Sequence, residues 1–180
     1  MLPWNPRRVI RRVYPPDLVT LYSVLKLLHV LSAIWLAGGL LGRAMVLAAA
    51  RRGPDIRIVK AIADVSGRLE NAMVAPGYLA VLVTGIATAV VGGLPLFGPF
   101  NGGPLWIFIP LVLFAGAVIL TPIILGADRR WGEALAEAAG AGSITDGLRV
   151  YLERGAMLRR YGPDIAFVGL IVVLMVLKPF

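Results

Sequence analysis

The chain has 180 residues, of which 58% are apolar and only 16% charged, against roughly 25% charged in an ordinary soluble domain. It contains no cysteine, which excludes disulfides, thiolate zinc, iron–sulfur clusters and c-type haem attachment. The net charge of +8 lies in basic residues that flank apolar spans, so it points to anionic lipid headgroups and membrane orientation, not to nucleic acid.

In chain order, the start Met1-Leu2-Pro3-Trp4-Asn5-Pro6 lacks an apolar core and a small-residue cleavage site, so no cleavable signal is expected. Pro15-Pro16-Asp17 then opens a first span, about 18–50, which Arg51-Arg52-Gly53-Pro54 closes. A helix of that length reaches about 50 Å, more than the ~30 Å hydrocarbon core, so it must tilt or project. Ile58, Ile62, Val65 and Leu69 recur at helical spacing, which starts the second span (about 72–91) as a cytoplasmic helix near Pro54.

From Asn71 to Ala127 the chain runs 57 residues without a charged side chain. That is enough for two crossings of about 20 residues each and a turn. The Gly/Pro cluster from Gly92 to Pro104 marks the turn, and the third span follows at about 105–127. Pro76, Pro110 and Pro122 are expected to kink spans two and three.

Next, Ser143-Ile144-Thr145-Asp146 fits a capping box, and Leu148, Tyr151, Gly155 and Leu158 fall on one helical face away from Arg149, Arg154 and Arg159. This reads as a basic amphipathic cytoplasmic helix on the inner membrane surface. The fourth span, 163–180, is short: Pro163 to Lys178 covers about 24 Å, so Lys178 must snorkel or the bilayer thin. The expected fold is all-α: a polytopic membrane protein, a four-transmembrane-helix bundle forming a single domain over 1–180.

Orientation follows from basic residues. Loops 51–70 and 128–162 carry eleven Lys and Arg, and the turn between spans two and three carries none. Arg7, Arg8, Arg11, Arg12 and Lys178 lie on the other side. The positive-inside rule places both charged loops in the cytoplasm and both termini outside, in a plasma membrane.

Polar groups at membrane depth are costly and are therefore the functional candidates. Asp and Glu are read as absent from the spans, which argues against the carboxylate relay of a proton-coupled pump. Span one carries Tyr22, Lys26, His29, Trp35 and Arg43; Tyr22, Lys26, His29, Leu36 and Arg43 fall within about a 100° arc. Lys26 and Arg43 stand about 25 Å apart along a helix, so each can snorkel to an opposite interface. His29, the only histidine, has two readings: an interhelical hydrogen bond, or an axial haem ligand with Arg43 or Lys26 pairing an anionic propionate. A second axial ligand would come from Met73 or from another copy in a homodimer. Copper fits poorly, because Met45, Met73 and Met175 are scattered. Gly38 and Gly42 form a small-xxx-small pair for helix packing, and Gly67-Arg68-Leu69-Glu70-Asn71 sets an ion pair and an amide at the inner mouth of span two.

The tract Leu25-Lys26-Leu27-Leu28-His29 with Trp35, Gly38 and Arg43 resembles the first helix of small bacterial four-helix membrane proteins. That group comprises HemJ-type protoporphyrinogen oxidase, the CopD copper-resistance domain and an integral membrane family of unknown function. Arg68-Leu69-Glu70-Asn71 through Ala75-Pro76-Gly77 to Thr84-Gly85 is similar to the HemJ pattern, and Val173 to Pro179 looks most like the family of unknown function. The resemblance implies a bacterial inner-membrane protein with His29 at the oxidase's haem-ligating position. The oxidase's basic residue in the third helix has no counterpart in 105–127.

Two functions are thus expected to compete. One is association with haem b or another tetrapyrrole through His29. The other is a non-catalytic accessory subunit of a larger membrane complex, or a homo-oligomer, in contact with lipid.

Overall fold

The computed structural model describes residues 16–53, 55–97 and 105–177, and its regular elements are helical. They are α1 (Pro16–Ala50), α2 (Ile56–Leu69), a π-helical turn (Glu70–Val74), α3 (Ala75–Val91), α4 (Leu105–Ala141), α5 (Asp146–Leu152) and α6 (Arg154–Leu177). Arg7, Arg8, Arg11, Arg12, Lys178 and the centre of the Gly/Pro turn lie outside the described residues, as do the side chains of Pro122, Arg154, Arg159 and Arg160.

Two helical units are long and apolar enough to cross a membrane: Asp17–Ala50, with a mean hydropathy of 1.9, and the continuous run Ile56–Val91, at 2.0. Leu105–Gly116 and Gly162–Leu177 are shorter apolar helices. The outer surface of α1 exposes Leu27, Val30, Leu31, Ile34, Trp35, Leu41 and Met45, and Met45 is 71% exposed. An apolar face of that extent would be an aggregation liability in water, whereas acyl chains solvate it.

The second crossing is built from three segments. Asp55 caps α2, its Oδ1 accepting the Ile58 N–H at 3.0 Å. The helix then loosens: the Ala75 N–H donates to the Glu70 carbonyl, five residues back. Pro76 supplies a local reason, since it lacks an N–H and its ring crowds the carbonyl of Ala72. The extra residue in the turn rotates everything before it relative to α3. Glu70 therefore faces α1 and is only partly exposed.

At the Ala50 end of α1, Ala50, Ile56, Val59, Ala138 and Leu148 form a buried cluster, with Trp131, Leu135, Ile144 and Leu152 packed around it. Trp131 and Tyr151 meet edge to face, with ring centroids 6.0 Å apart. This layer corrects the expected amphipathic surface helix. Gly142 closes α4 in a left-handed conformation (φ 68), and the helix cap is Thr145, two residues later than a Ser143 capping box requires. The new helix, α5, lasts only seven residues before the backbone extends at Glu153. Leu148 is fully buried against protein, so the stripe that looked lipid-facing is split between α5 and α6.

A second buried cluster, Leu36, Leu40 and Val74, joins α1 to the second crossing. Tyr78, Val81, Ile165 and Val168 pack against it, so α6 docks at the same level. On the far side Tyr78 contacts Phe114 of α4 edge to face, at 5.5 Å between centroids.

Candidate polar sites between the helices

Tyr22, His29, Leu36 and Arg43 recur every seven residues along α1. Each meets a partner on the antiparallel second crossing. A Cβ added at Gly92 would lie 2.8 Å from Tyr22 Cε2; one at Gly85, 2.9 Å from His29 Cε1; one at Gly77, 3.1 Å from Leu36 Cβ. The fourth partner is Glu70, whose Oε2 accepts from Arg43 Nη1 in an ion pair. Seven-residue spacing keeps knobs on one seam, and glycine sockets let two backbones approach closely. The expected small pair Gly38/Gly42 is looser. The tight approach on α1 is Gly39, whose added Cβ would lie 2.8 Å from Met73 Cβ.

His29 occupies the second socket. Its Nδ1 lies 3.1 Å from the Val81 carbonyl and 3.2 Å from Thr84 Oγ1, and that hydroxyl in turn donates to the Ala80 carbonyl at 2.5 Å. A carbonyl only accepts, so this geometry requires a proton on Nδ1. In the neutral ring Nε2 is then left with its lone pair. Anchoring one ring nitrogen to a carbonyl fixes the tautomer and orientation in the way metal-ligating histidines are held. On that criterion His29 fits the role of one axial ligand.

The other expected members of the site do not gather there. Lys26 is exposed, one turn from His29. Arg43 lies fourteen residues away, about 21 Å along the helix, and pairs with Glu70 instead. Met73 packs on Gly38 and Gly39, about 15 Å from His29 along α1. Trp35 points away, 54% exposed. Among the described residues no group of three His, Asp or Glu side chains converges to hold a metal.

Arg43 anchors a second polar cluster. Its guanidinium is well buried, with the side chain 13% exposed. Tyr78 of α3 and Asp164 of α6 both lie within electrostatic reach of it, and Tyr78 also senses Glu70 and Asp164. The direct contact among these groups is the Arg43–Glu70 ion pair. The apolar helical unit Ile56–Val91 includes Glu70, and the shorter apolar helix Gly162–Leu177 includes Asp164. The sequence sets Glu70 in an ion pair at the mouth of span two; its partner in the fold is Arg43 of α1, and α2, the π turn and α3 run continuously through it. Asp164 was overshadowed by the uncharged run from Ile165 to Leu177; its signal was an acid immediately after Pro163 at the head of a short span.

A family model described as a predicted integral membrane protein (DUF2269) matches residues 23–179. That is most of the chain, and it includes both polar sites; the chain belongs to this family. No curated protein and no solved structure matches.

Proposed function

We propose that this DUF2269 member is a four-span membrane protein that binds haem or a related tetrapyrrole through Nε2 of His29. The observation that carries the reading is the bond from Nδ1 to the Val81 carbonyl, which leaves Nε2 as the free lone pair. A haem held there would supply one-electron redox chemistry. The chain's own part is positional. Val81 and Thr84 set the tautomer, Gly85 fixes how deeply the ring seats, and apolar neighbours on α1 keep water away. Lys26, one turn off, is the cation best placed for a propionate. With one histidine in the chain, a six-coordinate iron would need a second copy or an exogenous ligand.

The topology in this reading has spans at about 18–50, 72–91, 105–127 and 163–180, with loops 51–70 and 128–162 on the cytoplasmic face of a bacterial inner membrane. Exposed Arg51, Arg52, Arg57, Lys60, Arg68, Arg129, Arg130 and Arg149 support that orientation.

The second reading is a non-catalytic accessory subunit. The same hydrogen bonds favour it, since a histidine that clamps α1 to α3 needs no cofactor to account for its place in the seam. The absorption spectrum separates the two. Haem binding requires a Soret band in the purified or haem-supplemented protein that His29→Ala abolishes; a clamp alone gives none.

A further inference from the structure

The Ala50 end of α1 carries a recess that neither polar site uses. Met45, Ala48, Ala49 and Arg52 are exposed, and their spacing sets them on one strip of the helix surface. The Arg52 N–H donates to the Ala49 carbonyl at 3.0 Å, so the chain keeps turning past Ala50. With Arg51 these residues line a cavity of about 630 Å³. That volume falls within the ~300–1,000 Å³ of small-molecule sites. The one-carbon side chains of Ala48 and Ala49 leave the room between Met45 and the arginines.

Its lining changes character along the helix axis. The membrane-capable run ends at Ala50, so Met45, Ala48 and Ala49 lie on the apolar side and Arg51 and Arg52 follow directly after it. Arg51 is held in place: its Nε donates to the Leu152 carbonyl, at the end of α5, at 2.9 Å. The two Nη groups remain as parallel donors, the edge with which a guanidinium takes a phosphate. Among the described residues neither Arg51 nor Arg52 forms an ion pair. The nearest acid after them in sequence, Asp55, accepts the Ile58 N–H through Oδ1.

We propose that this recess binds one anionic phospholipid, with its phosphodiester on Arg51 and Arg52 and its acyl chains along Met45, Ala48 and Ala49. Charge selects the class: an anionic headgroup is attracted by both arginines, whereas a zwitterionic one carries its own cation. The apolar wall selects the source, because a soluble phosphate would use only the charged half of the lining. The recess lies about 33 Å along α1 from His29 and does not rest on haem binding.

Native mass spectrometry of the full chain in detergent, titrated with phosphatidylglycerol or phosphatidylcholine, tests this by counting retained lipids. One tightly held phosphatidylglycerol is expected, and no tightly held phosphatidylcholine. Arg52→Gln should weaken retention about five-fold, the effect of one cation beside an anionic headgroup. Arg57→Gln removes the same charge from an exposed position on α2 and should leave retention unchanged. Ala49→Leu fills the recess at constant charge and should abolish the tight site. Arg51 stays intact in these variants, because its bond to Leu152 also ties α5 to α1. Equal retention of the two lipids by the wild-type protein overturns the proposal without recourse to any variant. Equal losses in Arg52→Gln and Arg57→Gln overturn it too, since the attraction is then diffuse, as does undiminished retention in Ala49→Leu. Displacement of the lipid by an equal concentration of glycerol phosphate would assign the arginines to a soluble ligand and overturn it as well.

Discussion

The imidazole of His29 is seated on Gly85, so that a methyl group there would place carbon 2.9 Å from Cε1. Knob and socket belong to one seam, Tyr22–Gly92, His29–Gly85, Leu36–Gly77 and Arg43–Glu70, which sets the register of the two long crossings. His29 sits in the second socket of this seam and the Arg43–Glu70 ion pair closes it at one end.

Methyl groups added along the seam should push the helices apart. Gly39→Ala and Gly77→Ala are expected to destabilise by about 1–3 kcal/mol, because their nearest neighbours, Met73 Cβ and the Cβ and Cα of Leu36, cannot swing away. Gly132→Ala is the control: nothing lies within 4 Å of its added Cβ, and alanine in an exposed helix should stabilise by about 0.5–1 kcal/mol. Thermal unfolding in detergent, followed by circular dichroism, gives the order. Equal stability of Gly77→Ala and Gly132→Ala would show that the seam is not close-packed.

The Arg43–Glu70 pair should behave as a unit. Arg43→Met leaves a carboxylate without its cation, and Glu70→Leu leaves the cation without that carboxylate; each is expected to cost more than the double substitution, by about 1–3 kcal/mol. The inequality holds because replacing both charges removes their burial penalty together. A double-mutant cycle on unfolding free energy measures the coupling, and additive effects would exclude a direct interaction.

Truncating Leu148 to Ala should loosen the layer around Ala50. The side chain is fully buried against Ala50, Val59 and Ala138, so the loss is about 2–5 kcal/mol. Hydrogen exchange should rise in α5 and the end of α4 while α1 and α3 stay protected. Uniform protection across the chain would mean that α5 does not dock on the protein.

The first two long helices and their apolar limits were legible in the sequence, because period and composition register directly in lipid. The shared face of Tyr22, His29, Leu36 and Arg43 was legible too. What it faced was not: glycine sockets at 77, 85 and 92 are visible as residues, but their register against α1 is a tertiary fact. The fate of Leu148 was misread for a related reason. An apolar stripe opposite arginines describes a lipid-facing helix and a protein-facing one equally well, and only the position of α4 distinguishes them. Asp164 was missed because hydropathy draws attention to the uncharged run after it; Glu70 was expected in an ion pair, but its partner Arg43 is a tertiary fact.

Absence of native cysteine makes orientation directly measurable. Single substitutions Ser143→Cys and Asn101→Cys should label oppositely with a membrane-impermeant maleimide in intact cells. Asn101→Cys, in the Gly/Pro turn, is expected to react from outside, and Ser143→Cys only after the membrane is opened. The reverse pattern would invert the topology and place the Arg43 cluster at the outer face.

Haem binding through Nε2 of His29 is tested most directly by the absorption spectrum of the purified protein, before and after haem is added. A Soret band is expected, absent in His29→Ala and retained in Arg43→Gln, because Arg43 lies about 21 Å along the helix from the ligand. A wild-type protein that shows no Soret band after haem addition, or one whose band His29→Ala leaves unchanged, would contradict the account and leave His29 as a helix clamp.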